Sequence, residues 1–209
     1  MHDVLRGEIL GGALPPGAEV PSERVLAEQL GVNRQSVREA VKRLEQAGLV
    51  RMRHGGATRV LDWRDSGGLE VLADLARGEA VPPADIAQSI IEMRASIGID
   101  AARLCVARAD APTREAVRDR AEAAAELVGG PAVELEERYA AMWQTVVAGS
   151  GNVAYRLAFN TLLRALPSQP EIADIVRPAD AAAIRAFGAA VAAGDQDAAV
   201  RYAVLLLSP

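Results

Sequence analysis

PSERVLAEQLGVNRQSVREAVKRLEQAGLVRMRHGGATRVL, residues 21–61, carries two helical patterns, a tight turn between them and an alternating tail. Ser22 is placed to cap the first helix, and Glu23 stands in its opening turn, where the helix dipole favours a carboxylate. Val25, Leu26 and Leu30 make an apolar stripe, and Gly31 supplies the stop. Asn33 can cap a second helix whose apolar positions are Val37, Ala40, Val41, Leu44 and Ala47. That spacing buries one face and leaves Arg34, Gln35, Arg38 and Lys42 on the other, until Gly48 ends the helix.

After Gly48 the period changes from helical to alternating. Val50 and Met52 share one face, with Arg51 and Arg53 on the other. His54-Gly55-Gly56 turns the chain, and Thr58 and Val60 return on the buried side with Arg59 outward. Two helices joined by a short turn, the second basic at its N-terminal end, describe a recognition helix entering a major groove. With the hairpin added, residues 1–61 are expected to form a winged helix-turn-helix. A small helical domain with a solvated basic face is the plainer alternative, but cap, turn, helix and hairpin agree.

The segment LPPGAEVPSERVLAEQLGVNRQSVREAVKRLEQAGLVRMRHGG resembles the DNA-binding domain of GntR-type bacterial transcription regulators. The shared features are PPG before the helix, PSER at its start, the LGV turn, R-x-x-V-R-E-A on the recognition helix and GLV before the wing. HGGATRVLDWRDSGGLEVLADLAR is similar to the wing and linker of the fatty-acid-responsive FadR subfamily, and the remainder resembles its all-helical effector domain. The resemblance implies that Arg24, Asn33, Arg34, Gln35, Ser36, Arg38, His54 and Gly55 touch DNA. Arg34 and Arg38 are expected to read bases. Arg24, Gln35 and Ser36 would position phosphates, and His54-Gly55 would bring the wing to the minor groove. Two-fold symmetry would pair a homodimer with a near-palindromic double-stranded operator.

Charge divides unevenly along the 209 residues. Residues 1–61 hold nine Arg/Lys against seven Asp/Glu, and the remainder fourteen against twenty-one. A weakly basic head on an acidic body implies that only the head meets a polyanion. The single cysteine, Cys105, excludes an intrachain disulfide and lies on a helical apolar stripe, as a buried structural thiol would. The N-terminus lacks the apolar core of a signal peptide, and no run reaches the ~18 apolar residues that span a bilayer, so a soluble cytoplasmic protein without membrane contact is expected.

Outside the head, Asp3 to Leu10 reads as a bracing helix burying Val4, Leu5 and Ile9. LDWRDSGG reads as a polar connector, and LEVLADLAR, through Leu69, Leu72, Leu75 and Ala76, as a short amphipathic linker helix. The linker is placed at 62–83, with the domain boundary near Pro82–Pro83 and an effector-binding and dimerisation domain at 84–209. There Ile86, Ile90, Met93, Ile97, Ala101 and Leu104 step along one long helix. Pro112-Thr113, Pro131, Gly149–Asn152, Pro178 and Gly194-Asp195 punctuate five more, and a loop holds Pro167 and Pro170. Their inward positions are expected at Val153, Leu157, Leu162 and Leu163, at Ile184, Phe187 and Val191, and at Val200, Val204 and Leu207. The fold class is mainly α: a winged head and an all-α antiparallel bundle.

Both histidines, His2 and His54, lie outside the bundle. The resemblance implies an aspartate and three histidines as metal ligands in many such effector domains. With the GSGN and AAGD stretches as anchors, those positions fall on Tyr139, Trp143, Ile184 and Leu206. Aromatic and aliphatic groups do not replace carboxylate and imidazole, so no metal cofactor is expected. These side chains either fill the core or, with Arg94, line an apolar effector pocket; the resemblance implies an acyl-CoA or lipid there. Arg94 either pairs with Glu92 or Asp100 at the surface or faces inward to hold a ligand's carboxylate, thioester or phosphate. The chain stops at Pro209, sooner than the last helix of the fatty-acid regulators, whose CoA contacts would then come from elsewhere. The alternatives are a metal-free regulator answering an organic acid and, remotely, an enzyme acting on a thioester. Catalysis is not expected: Glu134, Glu136 and Glu137 suit a solvated helix face, and no nucleophile–base pair or phosphate loop is present.

Overall fold

Helix α1 (His2–Leu10) turns Leu5, Ile9 and Leu10 inward, while Val4, expected beside them, is 47% exposed. Residues at i and i+4 share a helix face and the preceding position falls beside it, which is why the stripe takes Leu5 and leaves Val4. The computed structural model describes residues 1–53, 56–75, 83–165 and 176–208. The chain clusters into two units, Met1–Pro83 and Ala84–Pro209, each with its own core.

In the first unit the Ser22 hydroxyl accepts from the Val25 N–H at 3.4 Å and starts α2 (Glu23–Leu30). Gly31 stops it in the left-handed region at φ 64°, where a side chain would be strained. Asn33 accepts from the Ser36 N–H at 2.8 Å and starts α3 (Arg34–Gln46), which buries Val37, Ala40, Val41 and Leu44. Leu26 is the buried residue of α2; Val25 and Leu30 are only half-buried.

The wing is shorter than its alternation suggests and has an unforeseen neighbour. Strands β1 (Val50–Arg51) and β2 (Arg59–Val60) pair antiparallel, Val50 opposite Val60 and Arg51 opposite Arg59. Beyond them the Met52 N–H donates to the Glu45 carboxylate at 2.8 Å instead of to a strand. On the other edge of β2, Glu19 bridges Arg59, the Val60 N–H donates to Ala18 at 2.9 Å, and the Val20 N–H donates to Thr58 at 2.8 Å. The segment after Pro15-Pro16-Gly17 therefore acts as a third strand-like edge. His54 and Gly55, which the sequence assigns to the turn, lie outside the described residues.

Of the section read as a linker, residues 62–75 are built into the first unit. LDWRDSGG is not an open connector: Asp62 caps a one-turn helix α4 (Trp63–Ser66), accepting from the Arg64 N–H at 3.0 Å. The Ser66 hydroxyl donates to the Gly48 carbonyl at 2.7 Å, and a Cβ at Gly48 would collide with the Ser66 carbonyl. A 3-10 turn over Leu69–Val71 leads into α5 (Leu72–Leu75). Val71 and Leu75 are the buried anchors, and Leu69, expected inward, is 42% exposed because the tighter turn rotates it away. Arg6 ties this section to α1 through Asp74 at 2.9 Å. Ala76 lies outside the described residues.

The second unit contains α6 (Pro83–Arg108), α7 (Ala111–Ala125), α8 (Ala132–Gly149), α9 (Val153–Ala165), α10 (Ala181–Ala193) and α11 (Gln196–Leu207). Asp110, Asn152, Asp180 and Asp195 each accept from backbone N–H groups at a helix start, a contribution of about 1 kcal/mol apiece. The core joins Ala101 and Cys105 of α6 to Val117 and Ala121 of α7, Met142 and Val146 of α8, and Phe187 and Val191 of α10. Small residues let α7 and α10 approach so closely that a Cβ on Gly188 would lie 2.6 Å from that of Ala121. In α9 the inward face carries Ala158, Phe159 and Leu162, whereas Val153 and Leu157 are 71% and 63% exposed. Likewise α11 buries Ala199, Ala203 and Leu207 and leaves Val204 42% exposed, since in an alanine-rich helix the alanines make the close packing. Met93 and Val200 are half-buried, and the loop holding Pro167 and Pro170 lies outside the described residues.

Candidate nucleic-acid interface and effector cavity

The exposed face of α3 presents Arg34, Gln35, Ser36, Arg38 and Lys42, positioned because its opposite face is locked by Val37, Val41 and Leu44. Asn33 uses its side-chain oxygen as the helix cap, leaving its NH2 to donate elsewhere. Arg34 meets no acidic partner among the described residues. Arg24, on α2, reaches both oxygens of Glu28 through a single nitrogen, at 2.9 and 3.2 Å, with both side chains largely exposed. Gln35 donates weakly to Glu39 at 3.5 Å, and Lys42 meets the same carboxylate at 3.3 Å.

Arg38 is held differently. Its Nε donates to Glu23 Oε1 at 3.0 Å and its Nη2 to Oε2 at 3.3 Å, a fork-to-fork pair between α3 and α2. This hydrogen bonding to Glu23 pushes the Arg38 pKa further up. Glu23 is legible in the sequence as a helix-start acid, but nothing in its spacing signals a partner fifteen residues on. In the wing Arg51 and Arg53 are exposed, while Arg59 is tied to the Gly17 carbonyl at 3.0 Å and to Glu19 at 2.8 Å.

In the second unit a cavity of about 340 Å³ is lined by Arg94, Tyr139, Trp143, Phe159, Leu162 and Pro178, and also by Glu136 and Glu137, which the sequence places on a solvated helix face. It is walled mostly by apolar groups, and its volume lies near the lower end of the ~300–1,000 Å³ typical of ligand pockets. Arg94 also lines a second space of about 210 Å³ with Ile91, Leu206 and Arg177. Both surface carboxylates that could have drawn Arg94 outward are engaged elsewhere. Glu92 accepts from Gln88 at 2.8 Å, and Asp100 accepts from Arg103 at 2.8 Å and from Tyr155 at 3.0 Å. Arg94 instead stands over the Tyr139 ring at 5.9 Å, and burial pulls its pKa down while Tyr139 opposes the shift.

Tyr139 and Trp143 meet edge to face at 6.2 Å, and Trp143 lies 5.1 Å from Phe187. The Tyr139 hydroxyl donates to the Leu206 carbonyl at 3.3 Å, and burial raises its pKa. The Trp143 indole N–H is buried without a hydrogen-bond partner among the described residues. Ile184, grouped with these residues in the sequence, is fully buried in the core and does not line the cavity. Its helix position turns it between neighbouring core residues, so it supports the site from behind.

The four positions where the related effector domains place metal ligands thus hold a phenol, an indole and two alkyl chains, which do not fit a first-row metal. Among the described residues no group of three or more His, Cys, Asp or Glu side chains is gathered. Cys105, on α6, is buried, and that burial pushes its thiol up to about 11. No helix among the described residues is long and apolar enough to cross a membrane.

Comparison with known proteins places both units. Residues 2–60 match the family described as bacterial regulatory proteins, gntR family. The chain is 34% identical over 205 residues to HTH-type transcriptional regulator Mce2R of Mycobacterium tuberculosis, covering 96% of this chain and 84% of that protein. It is 30% identical over 161 residues to the fatty acid metabolism regulator protein of Serratia proteamaculans, covering 74% and 62% respectively. Among solved structures, a Streptococcus agalactiae GntR protein superposes with a TM-score of 0.51 at 20% identity, over 99% of this chain and 94% of that one. The Listeria monocytogenes regulator Lar, described as controlling the agr system, does so with a TM-score of 0.59 at 16% identity, over 99% and 91%. At these identities the two structures speak for the fold alone.

Proposed function

The chain belongs to the GntR family of bacterial regulatory proteins, and from that premise we propose that it is a cytoplasmic, metal-independent repressor whose operator affinity is set by an acyl-bearing anionic effector. The chain would act as a homodimer, one α3 and wing per half-site of a near-palindromic operator. Arg34 and Arg38 read base edges, Arg24, Gln35 and Ser36 hold phosphates, and Asn33, His54 and Gly55 complete the contacts. Members of this family regulate transcription, and the reading assigns the chain no catalysis.

One observation carries the effector: Arg94, inside the bundle with no carboxylate partner among the described residues, at the wall of an apolar cavity. A half-buried cation whose one polar neighbour is a phenol is costly, so its retention fits a site that an anion completes. Tyr139 and Trp143 line the same cavity with their rings. An acyl chain would lie against Phe159 and Leu162, gaining about 0.8 kcal/mol per buried methylene in the ideal case. The fatty acid metabolism regulators among the relatives favour an acyl-CoA-like molecule and a role in lipid metabolism.

A small organic acid is the second reading, favoured by the cavity's modest volume. Titration of protein–operator complexes with acyl-CoAs of increasing chain length, beside free CoA and short organic acids, separates the two. Release of DNA that strengthens with chain length supports the acyl reading; release by a short acid alone replaces it. Elemental analysis and a chelator titration test metal independence: a stoichiometric transition metal, or loss of operator binding with chelator, overturns it.

A further inference from the structure

Among the described residues, Arg38 alone of the cationic side chains on α2 and α3 makes a two-point pair with a carboxylate on another helix. The guanidinium has two edges that can form parallel hydrogen bonds: Nε with Nη2 along its side, and Nη1 with Nη2 at its end. Glu23 occupies the side edge, with both contacts at or under 3.3 Å. No acceptor among the described residues engages Nη1, so the end edge, with its parallel donors, is left open. That edge is the shape needed for the N7 and O6 acceptors of guanine.

We infer that Glu23 is a positioning residue for base recognition, clamping the side edge of Arg38 so that its end edge is presented to a guanine in the major groove. The inference rests on the reading of Arg38 as a base contact. Glu23 suits the task because both anchors are rigid: it stands in the first turn of α2, after the Ser22 cap, and Arg38 projects from the locked helix α3. Arg24 shows the contrast in geometry: both pairs are exposed, but Glu28 lies one turn along the same helix and meets one nitrogen only, whereas Glu23 meets two nitrogens of Arg38 from a second helix.

A carboxylate facing DNA also repels phosphate, and this gives the inference a signature of opposite signs. Loss of the Glu23 charge raises sequence-independent binding, whereas loss of the clamp lowers discrimination. A role in starting α2 would move neither base preference nor its location. A role as a simple competitor for Arg38 would raise specific binding when Glu23 is removed.

The test uses the full chain and a duplex library with a randomised core, from which the wild type selects its preferred sequence. Binding to that duplex, to versions substituted at each position, and to random duplex is then measured for Glu23→Gln, Glu23→Asp, Arg38→Ala and Glu23→Gln/Arg38→Ala, with helix content checked by circular dichroism. Arg38→Ala should flatten the preference for guanine at one position per half-site. Glu23→Asp, one methylene too short for the fork but still charged, should reduce discrimination at that same position about fivefold or more, with random-duplex binding unchanged. Glu23→Gln should reduce it likewise and strengthen random-duplex binding. In the Arg38→Ala background Glu23→Gln should change no base preference.

If Arg38→Ala flattens one position while both Glu23 variants leave it intact, the clamp is wrong and the base contact stands. Tighter binding of the Glu23 variants to the selected duplex, with full discrimination, would make Glu23 a competitor and overturn the inference. If Arg38→Ala alters no position, the base contact itself fails and the clamp with it.

Discussion

Replacing Arg94 by methionine should stabilise the ligand-free protein and abolish its response to an anionic effector. Methionine keeps most of the side chain's length and apolar packing while removing the charge. The guanidinium is half-buried with no carboxylate partner among the described residues, and desolvation disfavours its charged form there. Removing an uncompensated, partly buried charge returns about 1–3 kcal/mol, by the reasoning that makes apolar replacements of buried ions neutral or stabilising. Against this stands the loss of the cation–ring contact with Tyr139 at 5.9 Å, about 0.5–1 kcal/mol. The net is a gain of about 1 kcal/mol. For a unit spanning Ala84–Pro209, that corresponds to a rise of about 3–5 °C in its Tm. Differential scanning calorimetry on both proteins, followed by operator titration with acyl-CoA, reads both effects. A fall in Tm beyond 1 °C or so would mean that Arg94 is held by a partner in the native state. The site would then not be waiting for an anion, and the effector reading would lose its foundation.

Gly188→Val should cost about 1–3 kcal/mol, because even its Cβ would lie 2.6 Å from that of Ala121 and 3.1 Å from the Arg118 Cα; chemical denaturation of the second unit measures it, and an unchanged midpoint contradicts the close α7–α10 approach. Cys105 should resist alkylation in the native protein at pH 8, where a thiol pushed to about 11 is only about one part in a thousand ionised. The sign with pH follows from the same burial: the native thiol ionises later than the unfolded one, so its contribution is intact below pH 9 and fades as the pH rises through about 11. Alkaline denaturation of wild type against Cys105→Val reads this, the variant losing less stability between those values. Asn33→Ala should cost about 1 kcal/mol in the first unit by leaving the Ser36 N–H uncapped, seen as a lower unfolding midpoint; Asn33→Asp, which restores an acceptor, should recover it.

The head was readable where local rules act alone. Ser22, Asn33, Gly31 and Gly48 announce helix ends because capping and left-handed turns depend on one or two residues, and the structure shows each in that role. The recognition helix was equally legible, since four buried positions at helical spacing leave its basic face no other orientation. Less of the bundle could be read correctly. Val153, Leu157 and Val204 look like core because they are large and apolar, yet the packed faces of α9 and α11 are chosen by how closely neighbouring helices approach. Where that approach is close, alanine is the better core residue, and hydrophobicity alone ranks it last.

The candidate sites divide the same way. Sequence by itself determined which side chains are available: arginines on the open face of α3, and a phenol and an indole where ligands of a metal would stand. Tertiary structure alone decided what they face. Arg94 had two open directions until Glu92 and Asp100 were seen to be occupied. The Glu23–Arg38 fork and the strand-like edge at Glu19 join residues 15 and 40 positions apart in the chain. Ile184 falls beside the cavity residues in an alignment but behind them in space. Periodicity reports on the faces of one helix or strand; which groups from separate elements meet depends on packing distances that no single segment encodes.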